Sequence, residues 1–166
     1  MASTKTSKSD LKKNKAKSKE GSKNGRIAFY LISIILLTSI VFSNTLGNFF
    51  ITNLDDSLYM ANIDRLSKLS VQDFYAMFFT FIAGNYHPLA ILSLTIDFGF
   101  AGQHAFLYHF ENYILHIANV CLVFWFIYML VKKINVALIV ALFFAIHQMH
   151  VESVAWISER KDVLYS

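Results

Sequence analysis

The feature that most constrains this chain is the stretch from Tyr113 to Val131, where nineteen consecutive positions carry no Asp, Glu, Lys or Arg. A helix of that length covers most of a bilayer core, because each residue advances about 1.5 Å through about 30 Å of hydrocarbon. A second charge-free run, Ile27 to Leu46, is as long. A soluble core has no use for two such segments. The composition agrees: 55% of the residues are hydrophobic, 16% are charged, and the mean hydropathy is +0.46. The expected class is therefore an all-α integral membrane protein.

Charge orients it. Nine of the fifteen Lys and Arg lie at or before Arg26, and the remainder of the chain is slightly acidic. Residues 1–26 are rich in Lys, Ser and Asn and nearly free of apolar side chains, so they are expected to form a disordered basic tail. Beside a membrane span such a tail is read as an orientation signal, which places it in the cytoplasm; no nucleic-acid partner is inferred. The run over 27–46 exceeds a signal-peptide core and is followed by no small-x-small cleavage site. It is expected to be an uncleaved first span, with 47–104 as a long extracytoplasmic loop. The single Cys121 lies within an apolar segment and reads as a packing residue.

Within the loop, Asp55 and Asp56 stand side by side on what is expected to be irregular chain. Adjacent acids suit a solvated surface, a general base or a metal ligand. Ser70 and Asp73 have capping-box spacing, and Val71, Phe74, Met77 and Phe78 follow at helical intervals, which predicts a short amphipathic helix on the membrane surface. Pro88, the sole proline, closes a break at 84–88 that contains His87. The apolar stretch 89–100 is too short to span and carries Asp97, so a second interfacial or re-entrant helix is expected there.

The second span is expected over 105–131, with Lys132 and Lys133 at its cytoplasmic end. His109, Asn112 and His116 recur at spacings of three and four, on one face near its other end. Polar groups inside a membrane helix face protein or water, so this face points either at a site or at a helix contact. The third span, 134–150, has a short apolar part. The helix is expected to continue past His147, with Val151, Val154 and Ala155 prolonging its apolar face.

That crossing delivers a dense polar cluster, His147 to Asp162, to the side of Asp55, Asp56 and His87. His147 and His150 suit metal ligation if Asp55, Asp56 or Glu152 supplies a third donor, so a divalent cation is compatible, and the sequence specifies no cofactor. Arg160 and Lys161 suit a phosphate, and equally suit a snorkelling anchor. A carboxylate base beside phosphate-binding cations at a bilayer surface fits sugar transfer from a lipid-linked phosphate to an acceptor hydroxyl.

The segments Asn85–Leu89 and Tyr108–Asn112 with His116, and above all 150–164 (HVESVAWISERKDVL), resemble the N-terminal membrane half of bacterial tetratricopeptide-repeat membrane proteins. These are similar to the eukaryotic transmembrane-and-TPR O-mannosyltransferases. The resemblance covers about Phe50 onward. It implies a partial GT-C glycosyltransferase fold in an inner-membrane-type setting, a polyprenyl-phosphate sugar donor, and a protein or glycan acceptor. It also implies an extracytoplasmic site in which Asp55 or Asp56 is the catalytic carboxylate. By this reading His87, Arg160 and Lys161 contact the donor phosphate, and His109, His147, His150 and Glu152 shape the site. Family members carry His-Pro where this chain has His147-Gln148, so the helix break of the family is not expected here. The family also continues into further spans and repeats, and the chain is expected to be the front part of a longer protein. Two other readings stand beside this one: a non-catalytic membrane anchor or scaffold, and a transporter of lipid-linked intermediates. The transporter reading finds only His116 and Asn119 near the midplane.

Overall fold

The computed structural model describes residues 8–51, 55–82 and 84–166, with side chains from 21 onward except that of Asp55. Among the described residues the chain is all-α, apart from one isolated bridge between Ile82 and Asn85. Eight α-helices follow in order: α1 (Lys8–Phe42), α2 (Asp55–Leu66), α3 (Val71–Phe79), α4 (Pro88–Ala101), α5 (Ala105–Val131), α6 (Ile134–Ile146), α7 (Met149–Ala155) and α8 (Arg160–Leu164). Short 3-10 turns at Ser43–Gly47 and Ile157–Glu159 complete the order.

Two helical segments, Gly21–Gly47 and Ala105–Val131, are long and apolar enough to cross a membrane. With α6 and α7 taken together as a bent pair, the described residues hold three. The protein is an integral membrane protein by that measure. Its outer surface behaves as lipid requires: Phe29, Ile32, Leu36 and Ile40 recur at helical spacing along α1 and are exposed, while Ile34, Thr38 and Phe42 face inward.

The membrane bundle is closed by small residues. Ala137, Ala141 and Ala145, one turn apart on α6, are fully buried and bring that helix close to Val120 and Phe124 of α5 and Ile34 of α1. Hydrophobicity cannot drive helix association where the solvent is itself hydrocarbon, so close backbone approach and dispersion do this work. Tyr113 donates its hydroxyl hydrogen to Ser39 Oγ at 2.8 Å, joining α5 to α1.

The loop folds on itself. Tyr59, Ile63 and Leu66 of α2, Met77 of α3, and Ile91 and Leu94 of α4 bury a separate core that also takes in Tyr108 and Ile157. The capping box forms at α3, where Ser70 Oγ accepts from the Asp73 N–H and Asp73 accepts from the Ser70 N–H. Pro88 occupies the first turn of α4, where its missing N–H costs nothing.

Three expectations are corrected. The basic tail is helical from Lys8, continuous with the first span; residues 1–7 lie outside the described residues. Lys, Ala and Glu are good helix formers, and an already formed apolar helix removes the nucleation penalty. Asp55 and Asp56 open a helix rather than lying in irregular chain, in the first turn that the helix dipole favours for acids. The third span does not continue past His147: α6 stops at Ile146, and α7 departs at 59°. The break forms without proline because His147 is extended (ψ 131°) and its Nδ1 accepts the Met149 N–H at 3.3 Å.

Candidate functional site

The polar face of α5 organises this region. Tyr108, His109, Asn112 and His116 are all buried, on the one side of the helix that the spacing of three and four requires. Asn112 and His116 each bond a segment distant in sequence.

Asn112 holds the chain that follows α7. Its Nδ2 donates to the Trp156 carbonyl at 3.2 Å, and its Oδ1 accepts from Arg160 Nε at 2.8 Å. Farther along α5, Asn119 donates to the Val163 carbonyl at 2.6 Å. His116 meets the Ala145 carbonyl at 3.1 Å; a carbonyl only accepts, so this histidine carries its proton on Nε2. That bond satisfies a carbonyl in the last turn of α6, which the break deprives of its helical partner.

Arg160 lies at the centre and is 0% exposed. Its Nη1 donates to Ser93 at 2.9 Å, to Glu111 at 3.0 Å and to Asp97, while Nη2 donates to the Tyr108 carbonyl at 2.9 Å. Every nitrogen of the guanidinium therefore has a protein acceptor, and α4, α5 and α8 meet on it. Burial lifts the Asp97 carboxyl to about 7, against the opposite pull of Arg160 and with a further rise from its hydrogen bond to Glu111. The phosphate contact expected of Arg160 has no open donor face in this arrangement. Its charge is matched inside the protein, as a buried charge requires.

Asp56 is the second buried charge, 1% exposed. Its Oδ2 accepts the Ile51 N–H at 2.9 Å and its Oδ1 accepts the Ser158 N–H at 3.0 Å. The second bond joins residues 102 apart, tying the loop to the turn two residues before Arg160. Asp56 also lines a cavity of about 180 Å³ with Phe50, Ser57, Met60 and Gln103. A neighbouring cavity of about 480 Å³, lined by residues 46–50 and 103–106, shares Phe50 and Gln103 with it. The side chain of Asp55, whose backbone opens α2, lies outside the described residues.

The remaining sequence candidates are distributed around this junction. His109 is buried, and among the described residues neither ring nitrogen has a partner at hydrogen-bond geometry; the same holds for Trp156 Nε1 and Ser158 Oγ. Lys161 pairs with Glu159 and lies 3.9 Å from Asp162. His87 precedes α4, with its ring centroid 6.3 Å from that of Tyr165. Glu152 is exposed on α7. His147 and His150 have ring centroids 6.2 Å apart, and His150 also packs on Phe144 and His116. Among the described residues no group of three His, Cys, Asp or Glu side chains is arranged to hold a metal ion, so no third donor joins that pair. The sequence marks Asn112 on a polar face and Asp97 in an apolar stretch without indicating their common partner, and nothing in it singles out Glu111, Ser93 or Ser158. Asp97 within an apolar helix was the available signal, since such a carboxylate has to meet a cation or a proton.

The fold and site thus define a membrane chain of two to three spans whose loop helices are locked to its last segment by two buried charges. No protein-family model matches the sequence, and no solved structure matches the fold. The chain is similar to Protein O-mannosyl-transferase TMTC1 of Mus musculus, 36% identical over 81 residues, and to its Homo sapiens counterpart, 35% identical over 81 residues. Each match covers 48% of this chain and 9% of the relative's length. This sequence is therefore related to those proteins over a small part of them.

Proposed function

We propose that this chain forms part of a membrane glycosyltransferase of the GT-C class. It transfers a sugar, mannose by kinship with the relatives, from a polyprenyl-phosphate donor to a protein or glycan hydroxyl on the extracytoplasmic side. The observation that supports this reading most is the Ser158–Asp56 bond, because it fastens the acidic pair to the closing segment at the edge of a cavity.

In this reading Asp55 is the base. It takes the acceptor hydroxyl proton as that oxygen attacks the anomeric carbon and the bond to the donor phosphate breaks, with inversion. Asp56, fixed by two backbone donors, orients α2 and keeps a negative charge beside the site. Lys161 and His87 receive the departing phosphate, Lys161 by exchanging its carboxylate partners for it. Arg160 is a positioning residue. His109, His147, His150 and Glu152 shape the surroundings.

Sugar transfer by the full chain in lipid, with a polyprenyl-phosphate sugar donor, tests the roles. Asp55→Asn is expected to reduce the rate roughly 10²- to 10⁴-fold, the usual contribution of a general base. Undiminished transfer by both Asp55→Asn and Asp56→Asn would sink the assignment.

One observation favours a second reading, a non-catalytic scaffold. Both buried charges are fully matched by protein partners, as they would be if they served folding alone. A wild-type chain that retains no donor lipid and transfers no sugar, but stays folded, would favour it.

A further inference from the structure

At the end of the bundle away from the Asp56 junction, a cavity of about 250 Å³ opens between the three membrane helices. It is lined by Ser22, Lys23 and Arg26 of α1, by Tyr128 and Lys132 at the end of α5, and by Ile134 at the start of α6. Three cations from two segments far apart in sequence converge on it, and among the described residues its lining includes no carboxylate. Lys23 Nζ lies 5.4 Å from the Tyr128 ring centroid, which draws the ammonium over the aromatic face. Lys132 adopts the left-handed conformation (φ 57°) that ends α5, with its N–H on the Tyr128 carbonyl at 2.9 Å, so the chain turns into α6 beside the cavity.

A second, independent feature adds to this charge. No side chain caps the N-terminus of α6, a helix of 13 residues, and the amides of its first turn are left at this end with the positive pole of the helix dipole. Free amides, two ammonium groups and a guanidinium are the donors that a phosphate uses. The cavity also lies where apolar helices end: Phe29 of α1 and Leu130 of α5, close in sequence to Arg26 and Lys132, are both exposed. A phosphate bound here would have hydrocarbon surface alongside for acyl chains.

We propose that this basic cavity is a binding site for the headgroup phosphate of an anionic phospholipid. Basic pockets between helices at the positively charged face of a membrane protein serve such lipids. The proposal does not depend on the enzymatic reading, since the cavity and the Asp56 junction share no residue.

Native mass spectrometry tests it, on the full chain released from nanodiscs of mixed phosphatidylcholine and phosphatidylglycerol. The wild-type chain is expected to retain phosphatidylglycerol in preference to phosphatidylcholine. The K23Q/R26Q/K132Q variant should lose that preference, with roughly fivefold weaker retention per charge removed. The K12Q/K13Q/K15Q variant, which removes as many charges from the tail, should keep it. Equal loss in both variants would mean diffuse attraction and overturn the site, as would retention unchanged in the cavity variant. Inorganic phosphate, titrated at constant ionic strength into protein in phosphatidylcholine nanodiscs, distinguishes a soluble ligand. Saturable phosphate binding lost in K23Q/R26Q/K132Q, without phosphatidylglycerol preference in the wild type, would overturn the lipid assignment. The variant K23R/K132R preserves charge and should retain lipid as the wild type does; its failure to do so with normal thermal melting would also count against the proposal.

Discussion

The membrane bundle and the loop junction are built by opposite means. In the bundle, Ala137, Ala141 and Ala145 bring α6 against α5 and α1 with little side-chain volume and few polar contacts. At the junction, Arg160 and Asp56 are buried as charges and Asp97 is buried against Arg160, each surrounded by donors or acceptors from elsewhere in the chain. The difference teaches where specificity resides. Apolar packing in lipid holds helices together, whereas the buried charges dictate which loop helix meets which part of the last segment, since a misplaced charge would be left unmatched.

Arg160→Met tests that contrast most severely. It leaves Asp97 and Glu111 without their cation, and a loss of roughly 3–5 kcal/mol in denaturant unfolding in detergent is expected. Adding Asp97→Asn in the same chain should restore part of it; no restoration would show that packing of the arginine stem, not charge, holds the junction. On the other side of the comparison, Ala141→Leu overpacks the seam and should cost roughly 1–3 kcal/mol, read as a lower thermal melting temperature. A neutral outcome there would mean that the bundle is loosely packed.

A smaller effect is expected from Asp56→Asn, which replaces an acceptor-only group by one that faces a backbone N–H with its own NH₂. Roughly 2 kcal/mol should be lost, and hydrogen exchange at the Ile51 and Ser158 amides should accelerate. The pH response sharpens the ionic half further. The folded-state value of Asp97, about 7, lies above its ordinary 3.8, so the folded chain holds this proton more tightly than the unfolded chain. The corresponding stability is complete below the ordinary value and is lost as pH rises through about 7. Asp97→Asn should flatten that slope in melting curves taken across this range. The smallest change expected is for Gln148→Pro. Gln148 has φ −59° and follows an extended His147, both of which suit proline, so the variant should be neutral or stabilised by roughly 0.4–1 kcal/mol. Clear destabilisation would show that the 59° bend needs the freedom of a non-proline residue.

Much of the fold was legible because local chemistry announces it. Two charge-free runs marked the spans, Ser70 and Asp73 marked the start of α3, and Pro88 marked that of α4. The spacing of His109, Asn112 and His116 marked a face that the structure buries. α2 was missed although Tyr59, Ile63 and Leu66 recur at helical intervals, because Asp64, Asn62 and Arg65 interrupt the run and the acidic pair drew attention to chemistry instead. The break at His147 was missed because a histidine ring, not a proline, supports it. The partners of Arg160 were beyond reach for a different reason: Ser93 and Asp97 lie 67 and 63 residues away, and nothing local encodes that pairing. For the candidate site, residue types were readable while their division of labour was not. Arg160 and Lys161 are adjacent in sequence, yet one is sealed among acceptors and the other remains partly exposed.

The bond from Ser158 to Asp56 also has a meaning in time. A ribosome delivers the acidic pair about a hundred residues before the amide that fastens it, so α2 enters the membrane surface with one of its two anchors still unmade. Until α5, α6 and α7 have been inserted and the turn at Ile157–Glu159 has emerged, the Asp56 carboxylate remains with water or with whatever insertion machinery surrounds it. The junction can be finished only once the turn at Ile157–Glu159 has been made, so this contact is a late one in the synthesis of the described segment.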